Sequence, residues 1–161
     1  MKILVLSDTH GAVIDSIAKQ IKIENNIEIL IHCGDNYKDA DKYAELLNIK
    51  KVYKVPGNCD YNFKHKESVI VEEIEGKSVL ITHGHLYLVK KDLFKLKEYA
   101  IKSNVDIVLF GHTHKSHDEI DNNILYFNPG STTLPMDGKS SFGIINISNK
   151  DIKSRIISIT T

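Results

Sequence analysis

The sequence predicts an α/β (α+β) protein in which two mixed β-sheets pack as a sandwich, with helices on the outer faces. Three observations favour this fold. Apolar segments alternate with amphipathic ones in the first half, strands and turns fill most of the second half, and five apolar segments each end shortly before an acidic, amide or imidazole side chain. Because ligands gather at the carboxyl ends of strands in such sheets, we expect one shared rim of polar side chains.

The first half of the chain has a β-α-β-α-β pattern. Strand-like segments lie at 2–6, 27–33 and 51–55, and the two segments between them have helical periodicity. The apolar stripe of the first helix consists of Val13, Ile14, Ile17, Ala18 and Ile21. The stripe of the second helix consists of Ala40, Tyr43, Ala44 and Leu47. Each stripe is a face that would pack on a sheet.

The second half begins with a predicted β-hairpin, in which segments 68–74 and 78–82 flank the turn 75–77. A third helix would carry an apolar stripe of Val89, Leu93, Leu96 and Ala100. The continuous apolar segment 106–110 then predicts a strand buried on both faces. Strand-like segments at 119–120, 124–127, 141–147 and 152–159 follow, and without a visible linker or repeat we expect one domain over 1–161.

Composition narrows the expected partners and location. The 21 Lys and Arg residues balance the 21 Asp and Glu residues, so no overall field favours nucleic acid or a membrane as partner. No apolar segment reaches the ~18 residues of a membrane span, and the N-terminus lacks a signal-peptide pattern, so we expect a cytoplasmic protein. The apolar residues Tyr87 and Leu88 leave open whether two chains pair as a homodimer.

Seven side chains that follow the five apolar segments are candidate metal ligands: Asp8, His10, Asp35, Asn58, His83, His112 and His114. Each of them alone would also suit a turn, a helix cap or a solvated loop. Together, imidazole nitrogen with carboxylate and amide oxygen favours Mn, Fe, Zn or Co over a cysteine-rich structural zinc site. Seven ligands exceed the needs of one tetrahedral ion, but would suit two ions about 3.5–4 Å apart that share a carboxylate.

Five short motifs occur in an order that resembles the signature of the calcineurin-like metallophosphoesterase family. They are Asp8-Thr9-His10, Gly34-Asp35, Gly57-Asn58, His83-Gly84 and Gly111-His112-Thr113-His114. The small size and the sequence Gly57-Asn58-Cys59-Asp60 resemble the compact YfcE-type phosphodiesterase branch. The resemblance implies a two-sheet sandwich and two divalent ions, with Mn²⁺ expected first and Ni²⁺, Fe²⁺, Zn²⁺ and Co²⁺ as alternatives.

The resemblance also implies a role for each residue. One ion would be held by Asp8, His10, Asp35 and His114. The other would be held by Asn58, His83, His112 and the bridging Asp35. The expected substrate is a small phosphodiester, attacked by a hydroxide that bridges both ions, because coordination lowers the pKa of water from 15.7 to about 7.

The leaving oxygen also needs a proton. Many members of the wider family carry a histidine at the position of Cys59, and a neutral thiol is a poorer general acid near neutral pH. We therefore expect leaving groups of low pKa to be preferred, with His85 as a substitute acid. The predicted catalytic group consists of Asp8, Asp35, Asn58, Cys59, Asp60 and His85.

Two other functions are considered. A non-catalytic protein-binding scaffold with the same fold, such as the retromer subunit, would tend to lose ligands, whereas the ligand set here is complete. A nuclease would be expected to show a basic groove or stacking aromatic residues, and Lys64, Tyr61 and Phe63 do lie near the motifs. The segment 128–131 is expected to form a turn that closes near the metal rim and is, by the same resemblance, a candidate substrate-side loop.

Overall fold

Two five-stranded sheets form a sandwich in the computed structural model of the chain, which describes residues 1–149 and 151–160. The strands are β1 (Lys2–Leu6), β2 (Ile29–His32), β3 (Lys51–Lys54), β4 (Val69–Ile74), β5 (Lys77–Thr82), β6 (Ile107–Leu109), β7 (Ser116–Asp121), β8 (Ile124–Pro129), β9 (Ser141–Ser148) and β10 (Asp151–Ser158). The α-helices are α1 (Ile14–Ile21), α2 (Asp39–Leu47) and α3 (Phe94–Lys102). Short 3₁₀ helices lie at Tyr61–Phe63 and His85–Tyr87.

Both sheets are mixed, as the sequence predicts. The first has the order β10-β9-β1-β2-β3 and the second β4-β5-β6-β8-β7. Strands β1, β2 and β3 run parallel, as do β5, β6 and β8, while the remaining pairs are antiparallel. Leu6 lies opposite His32, and His32 lies opposite Lys54, so the parallel strands end at one level. The carboxyl ends of these strands form the rim of the sheet, and the candidate ligands lie in the loops that follow the strands.

Strand β1 shows how one sheet contributes to two cores. Ile3 and Val5 belong to the core between the sheets, while Leu4 and Leu6 pack with α1 and α2 on the outer face. All four are at most 1% exposed. A fully buried side chain of this size contributes about 1.5–3 kcal/mol, so these two layers hold the strand in place from both sides.

Strand β6 confirms the prediction of a strand buried on both faces. Ile107 and Leu109 lie in the core between the sheets, whereas Val108 packs in the outer cluster with Leu96 and Ala100 of α3. The helices therefore cover the outer faces of the sandwich. The chain leaves this rigid strand directly into the segment that carries two of the predicted ligands.

Two helix boundaries differ from the sequence prediction. Val13 precedes α1 in a left-handed conformation, with φ 47°, and is 65% exposed, so it does not belong to the core-facing stripe. The third helix starts after Asp92, whose Oδ1 accepts a hydrogen bond from the N–H of Phe94. Val89 and Leu93 therefore precede α3, although Val89 is buried in the same core cluster.

The predicted β-hairpin is present, but its turn is shorter than expected. Glu75 and Gly76 form the turn with φ of 50° and 73°, and Lys77 already belongs to β5. Two consecutive positive φ values match the turn geometry that suits the twist of paired strands.

The two apolar residues considered for pairing of chains differ in exposure. Leu88 is 50% exposed, whereas Tyr87 is partly buried against the α3 cluster. A homodimer stays a prediction. Within residues 1–149 and 151–160, every helix is too short or too polar to cross a bilayer.

Candidate metal centre

Four predicted ligands form one tight cluster where the two sheets meet at the rim. Asp8, His10, Asp35 and His114 each offer a ligand atom, and these atoms all lie within 4.8 Å of one another. Asp8 and Asp35 are buried, while the two histidines are partly exposed. The cluster therefore has its acidic groups below and its imidazoles towards solvent, which is an arrangement suited to a divalent cation.

The other three predicted ligands lie beside this cluster. Nε2 of His83 is 3.4 Å from Oδ2 of Asp35 and 3.1 Å from Oδ1 of Asn58. The ring of His112 lies against that of His83, with 5.0 Å between ring centroids. Asp35 thus lies between two groups of side chains, in the position that a bridging carboxylate would need.

Backbone carbonyl groups fix the orientation of two imidazole rings. Nδ1 of His83 is 2.6 Å from the carbonyl oxygen of Cys33, and Nδ1 of His114 is 2.8 Å from that of Leu134. A carbonyl oxygen only accepts hydrogen bonds, so Nδ1 carries the proton in each case. In its neutral form, each ring therefore presents an unprotonated Nε2 to the cluster, as a metal ligand must.

Asp8 supplies a direct test of whether a cation fits. Its Oδ2 accepts hydrogen bonds from Oγ of Ser7 at 2.7 Å and from the N–H of His112 at 3.0 Å. Its Oδ1 is buried, finds no hydrogen-bond partner among the described residues, and lies 3.2 Å from Nε2 of His114. A buried carboxylate oxygen without a partner is costly, so the donor set fits a metal ion at this point.

Hydrogen bonds and opposite charges together outweigh burial in the titration of the cluster. Burial alone would raise the pKa of Asp35, but the hydrogen bond and positive charge of His83 outweigh it and lower that pKa well below its usual range. The nearby Asp8 carboxylate raises the pKa of His114, and the carboxylates of Asp35 and Asp8 raise that of His83 against the effect of burial. Since protons and a metal ion compete for the same atoms, metal affinity should fall as the pH falls.

His112 behaves differently from the other ligand candidates. Burial is the main reason that its pKa is lowered to about 4, and the positive charges of His83 and Lys90 act in the same direction. The ring is therefore neutral over the physiological pH range, which is the form that binds a metal.

Five of the seven candidate ligands have a left-handed backbone. The φ angles are 53° for Asp8, 49° for His10, 51° for Asp35, 70° for His112 and 55° for His114. This conformation is uncommon for residues other than glycine, and such residues cluster at functional sites where the surrounding structure holds them. The backbone at the rim thus turns sharply after each strand and directs the side chains towards one point.

Two glycines let the ligand loops approach each other. A Cβ on Gly57 would overlap Oδ1 of Asp35, and a Cβ on Gly111 would overlap Oγ of Ser7 and crowd Oδ2 of Asp8. Any side chain at either position would displace a carboxylate of the cluster. This explains in physical terms why a glycine directly precedes the candidate ligands Asn58 and His112.

The sequence predicts a catalytic role for Asp60, but its contacts give it a positioning role instead. Its Oδ2 accepts hydrogen bonds from the N–H groups of Asp35 and Gly57, at 2.9 and 2.8 Å. Its Oδ1 accepts one from the N–H of Tyr37 at 2.8 Å. The carboxylate is only 7% exposed, so it ties the loops after β2 and β3 together rather than facing a substrate.

A buried chain of hydrogen bonds beneath the site could not be inferred from the sequence. The N–H of Gly34 donates to Nδ1 of His32, so Nε2 of His32 donates to Oγ1 of Thr9, which donates to Oδ2 of Asp39. Burial lowers the pKa of His32 to about 4, which keeps the ring in this neutral form. This series of hydrogen bonds connects the loops after β1 and β2 to the start of α2. An acidic residue at the start of a helix is common, so the sequence gives no distinctive signal for the role of Asp39.

The segment 128–131 lies against the loops of the rim, as the sequence predicts, but it does not face solvent as a substrate-side loop would. It is buried, Nδ2 of Asn128 donates to the carbonyl oxygen of Gly111, and Oγ of Ser131 donates to that of Asp8. These polar side chains satisfy backbone groups that the sharp turns after β1 and β6 leave unpaired.

The two candidate proton donors lie at the edge of the cluster. Cys59 is exposed, its N–H donates to Oδ1 of Asp35, and partial burial with the nearby Asp35 charge raises the pKa of its thiol to about 11. The ring of His85 lies 6.0 Å from that of His112 between centroids, and burial lowers its pKa. Nδ1 of His85 is buried without a hydrogen-bond partner in the described part of the chain.

Comparison with known proteins identifies the family. The fold is a two-sheet sandwich, and its shared rim carries a carboxylate–imidazole cluster of the kind found in metal-dependent hydrolases. A sequence model described as the calcineurin-like phosphoesterase superfamily domain matches residues 1–150. The chain therefore belongs to the calcineurin-like phosphoesterase superfamily.

Three relatives cover nearly the whole chain. A probable metallophosphoesterase of Bacillus subtilis, YsnB, is 31% identical over 152 residues, covering 92% of this chain and 86% of the relative. The phosphodiesterase MJ0936 of Methanocaldococcus jannaschii is 32% identical over 173 residues, covering 98% and 99%. The phosphodiesterase YfcE of Escherichia coli is 28% identical over 162 residues, covering 91% and 88%. The resemblance to the YfcE-type branch is thereby confirmed.

Two solved structures confirm the fold. A phosphoesterase-like protein of unknown function from Streptococcus pneumoniae superposes with a TM-score of 0.80 at 24% identity, covering 98% of this chain and 88% of that one. A Vps29 variant from Entamoeba histolytica superposes with a TM-score of 0.78 at 22% identity, covering 99% and 100%.

Proposed function

We propose that this chain is a phosphodiesterase that requires two divalent metal ions, with Mn²⁺ as the expected metal. One observation carries the proposal: Asp8, His10, Asp35 and His114 converge within 4.8 Å, around a buried Asp8 oxygen that lacks a hydrogen-bond partner among the described residues. The family and two relatives named phosphodiesterases support hydrolysis of phosphoric esters, and of diesters in particular.

The proposed ligand sets follow the geometry of the rim. One ion would be held by Asp8, His10, Asp35 and His114. The other would be held by Asn58, His83, His112 and the shared Asp35. When bound there, the two ions would supply Lewis acidity towards the phosphoryl oxygens and a water of lowered pKa.

The chain's own residues hold this arrangement ready for substrate. The carbonyl groups of Cys33 and Leu134 keep two imidazoles in the ligating tautomer, and Asp60 fixes the loop that carries Asp35. Such outer contacts typically change metal affinity or activity by about 10- to 100-fold when they are removed. We further propose that the substrate is a small phosphodiester and that the chain acts in the cytoplasm.

Protonation of the leaving oxygen is the weakest part of this site. Cys59 is exposed beside Asn58, and a neutral thiol donates a proton less readily than an imidazolium ion. We therefore propose that aryl leaving groups, which need little protonation, are hydrolysed much faster than alkyl ones.

The proposal is tested with chelator-stripped protein and bis(p-nitrophenyl) phosphate, before and after addition of Mn²⁺. We expect Mn²⁺ to restore hydrolysis by at least ~100-fold, because a metal centre supplies several kcal/mol of transition-state stabilisation. The protein's fold is checked by circular dichroism in parallel. Ethyl p-nitrophenyl phosphate and diethyl phosphate, in the same assay, compare aryl with alkyl leaving groups.

Folded protein that stays inactive with Mn²⁺, Ni²⁺, Fe²⁺, Zn²⁺ and Co²⁺ would contradict the proposal. That outcome would favour a non-catalytic binding scaffold, the alternative to which the structural likeness to Vps29 points. A short single-stranded oligonucleotide, offered as a further substrate, tests the nuclease alternative: the ring of Tyr61 is 72% exposed near the site, with Nζ of Lys64 5.2 Å from its centroid.

A further inference from the structure

A cavity of about 590 Å³ lies beside the loop that follows β6. Its apolar lining comes from Val89, Leu93, Phe110 and Met136. Its volume lies in the range of pockets that hold small organic ligands. A cavity of this size at the rim, with an apolar wall, offers a place for an organic group that is attached to a phosphate.

The cavity adjoins the proposed metal centre. His114, one of the four clustered residues, forms part of its wall together with Thr113. Lys90 also lines the cavity, as His114 does. A phosphate placed at His114 would therefore have one of its ester groups within reach of the cavity.

The cavity also carries two cations. Lys90 and Lys115 both contribute to its lining, so its apolar wall is bordered by positive charge. A second cavity, of about 620 Å³, touches His10, but the described residues that line it include no lysine or arginine. The combination of apolar wall, cationic border and a candidate metal ligand therefore distinguishes the cavity beside His114.

We infer that this cavity is a specificity subsite for the ester group that is retained on the phosphate, and that it favours an aryl group bearing a further negative charge. The inference rests on the proposed function, since it names the substrate class for the same centre. The aryl ring would pack on Leu93, Phe110 and Met136, and its charged substituent would lie near Lys90 and Lys115.

The apolar part of the inference is tested with two diesters that share the p-nitrophenolate leaving group, phenyl p-nitrophenyl phosphate and methyl p-nitrophenyl phosphate. The wild-type protein should prefer the phenyl ester in kcat/KM by about tenfold or more, because an apolar subsite distinguishes groups by burial. Leu93→Trp should fill the cavity and reduce this preference at least ~5-fold. Met136→Trp, at a 68% exposed position in the same wall, guards against a folding defect of the first variant.

A matched control comes from another cavity. Leu46 lines one of about 650 Å³ between α1 and α2, which none of the seven candidate ligands lines. Leu46→Trp makes the same change of size there, and should leave the phenyl-to-methyl preference within ~2-fold of the wild-type value.

The charged part of the inference is tested by comparing kcat/KM for 4-carboxyphenyl p-nitrophenyl phosphate with that for phenyl p-nitrophenyl phosphate, whose phenyl group is uncharged. Lys90→Gln should reduce the preference for the carboxylate by about 2- to 5-fold, the size expected for a solvated ion pair, and more at low salt. Lys19→Gln, on the exposed face of α1, is the control and should leave the preference for the carboxylate unchanged.

The outcomes separate this inference from the proposed function. If Mn²⁺ restores hydrolysis but the wild type shows no phenyl preference, or both tryptophan variants retain it, the subsite is refuted and the phosphodiesterase stands. If no diester is hydrolysed with any of the metals, the proposed function fails first and the subsite falls with it.

Discussion

An Asp35→Asn variant should lose phosphodiester hydrolysis by about 10³-fold or more while it stays folded. Asp35 is the carboxylate between the two proposed ligand sets, and His83 keeps its pKa well below the usual range, so it is ionised at neutral pH. Asparagine keeps the shape and the oxygen that accepts the N–H of Cys59, but it removes the charge that both ions would share. A metal centre contributes several kcal/mol, and each 1.36 kcal/mol is tenfold in rate.

The measurement is kcat/KM for bis(p-nitrophenyl) phosphate with saturating Mn²⁺. Asp41→Asn is the matched control, because this exposed carboxylate pairs with Lys54 on the surface, and its loss should change the rate less than ~2-fold. An Asp35→Asn variant with more than about a tenth of the wild-type rate would contradict a shared, bridging role for Asp35.

An Asp60→Ala variant should lower the free energy of unfolding of the metal-free protein by about 3 kcal/mol or more. The carboxylate accepts hydrogen bonds from the N–H groups of Asp35, Gly57 and Tyr37 in a nearly buried place. Each buried N–H left without a partner costs about 1–3 kcal/mol. The loss should also weaken metal binding, because the loop that carries Asp35 is no longer held.

Urea denaturation measures this effect, with Asp60→Asn as a graded comparison. The amide retains one acceptor oxygen, so its loss of stability should fall between those of the wild type and the alanine variant. Asp41→Ala, at an exposed ion pair, should cost no more than ~1 kcal/mol. A cost below about 1 kcal/mol for Asp60→Ala would refute the positioning role.

The sequence predicts the fold well where apolar pattern decides it. The continuous segment 106–110 predicts a strand covered on both sides, which β6 confirms, and α2 follows its apolar stripe. Helix starts are less predictable, because Val13 and Val89 continue a helical spacing while the backbone at those points is not helical. Apolar spacing shows which side chains are buried and leaves open where the helix begins.

The candidate site is predictable in composition but not in its supports. The ordered motifs identify Asp8, Asp35 and the histidines as candidate ligands, since each of them follows a strand. The roles of Asp39, Asp60 and Ser131 depend on which backbone groups the folded loops leave unpaired, and this is settled only in three dimensions. For the same reason, the sequence places segment 128–131 near the rim but does not show that it is buried against the loops that carry the ligands.

The sharing of Asp35 by two ions is tested by anomalous X-ray diffraction from crystals soaked in MnCl₂. We expect two manganese peaks about 3.5–4 Å apart. One should contact Asp8, His10, Asp35 and His114, and the other Asn58, His83, His112 and Asp35. A single peak, or two peaks that do not share Asp35, in crystals of protein that hydrolyses the diester with Mn²⁺ would contradict it.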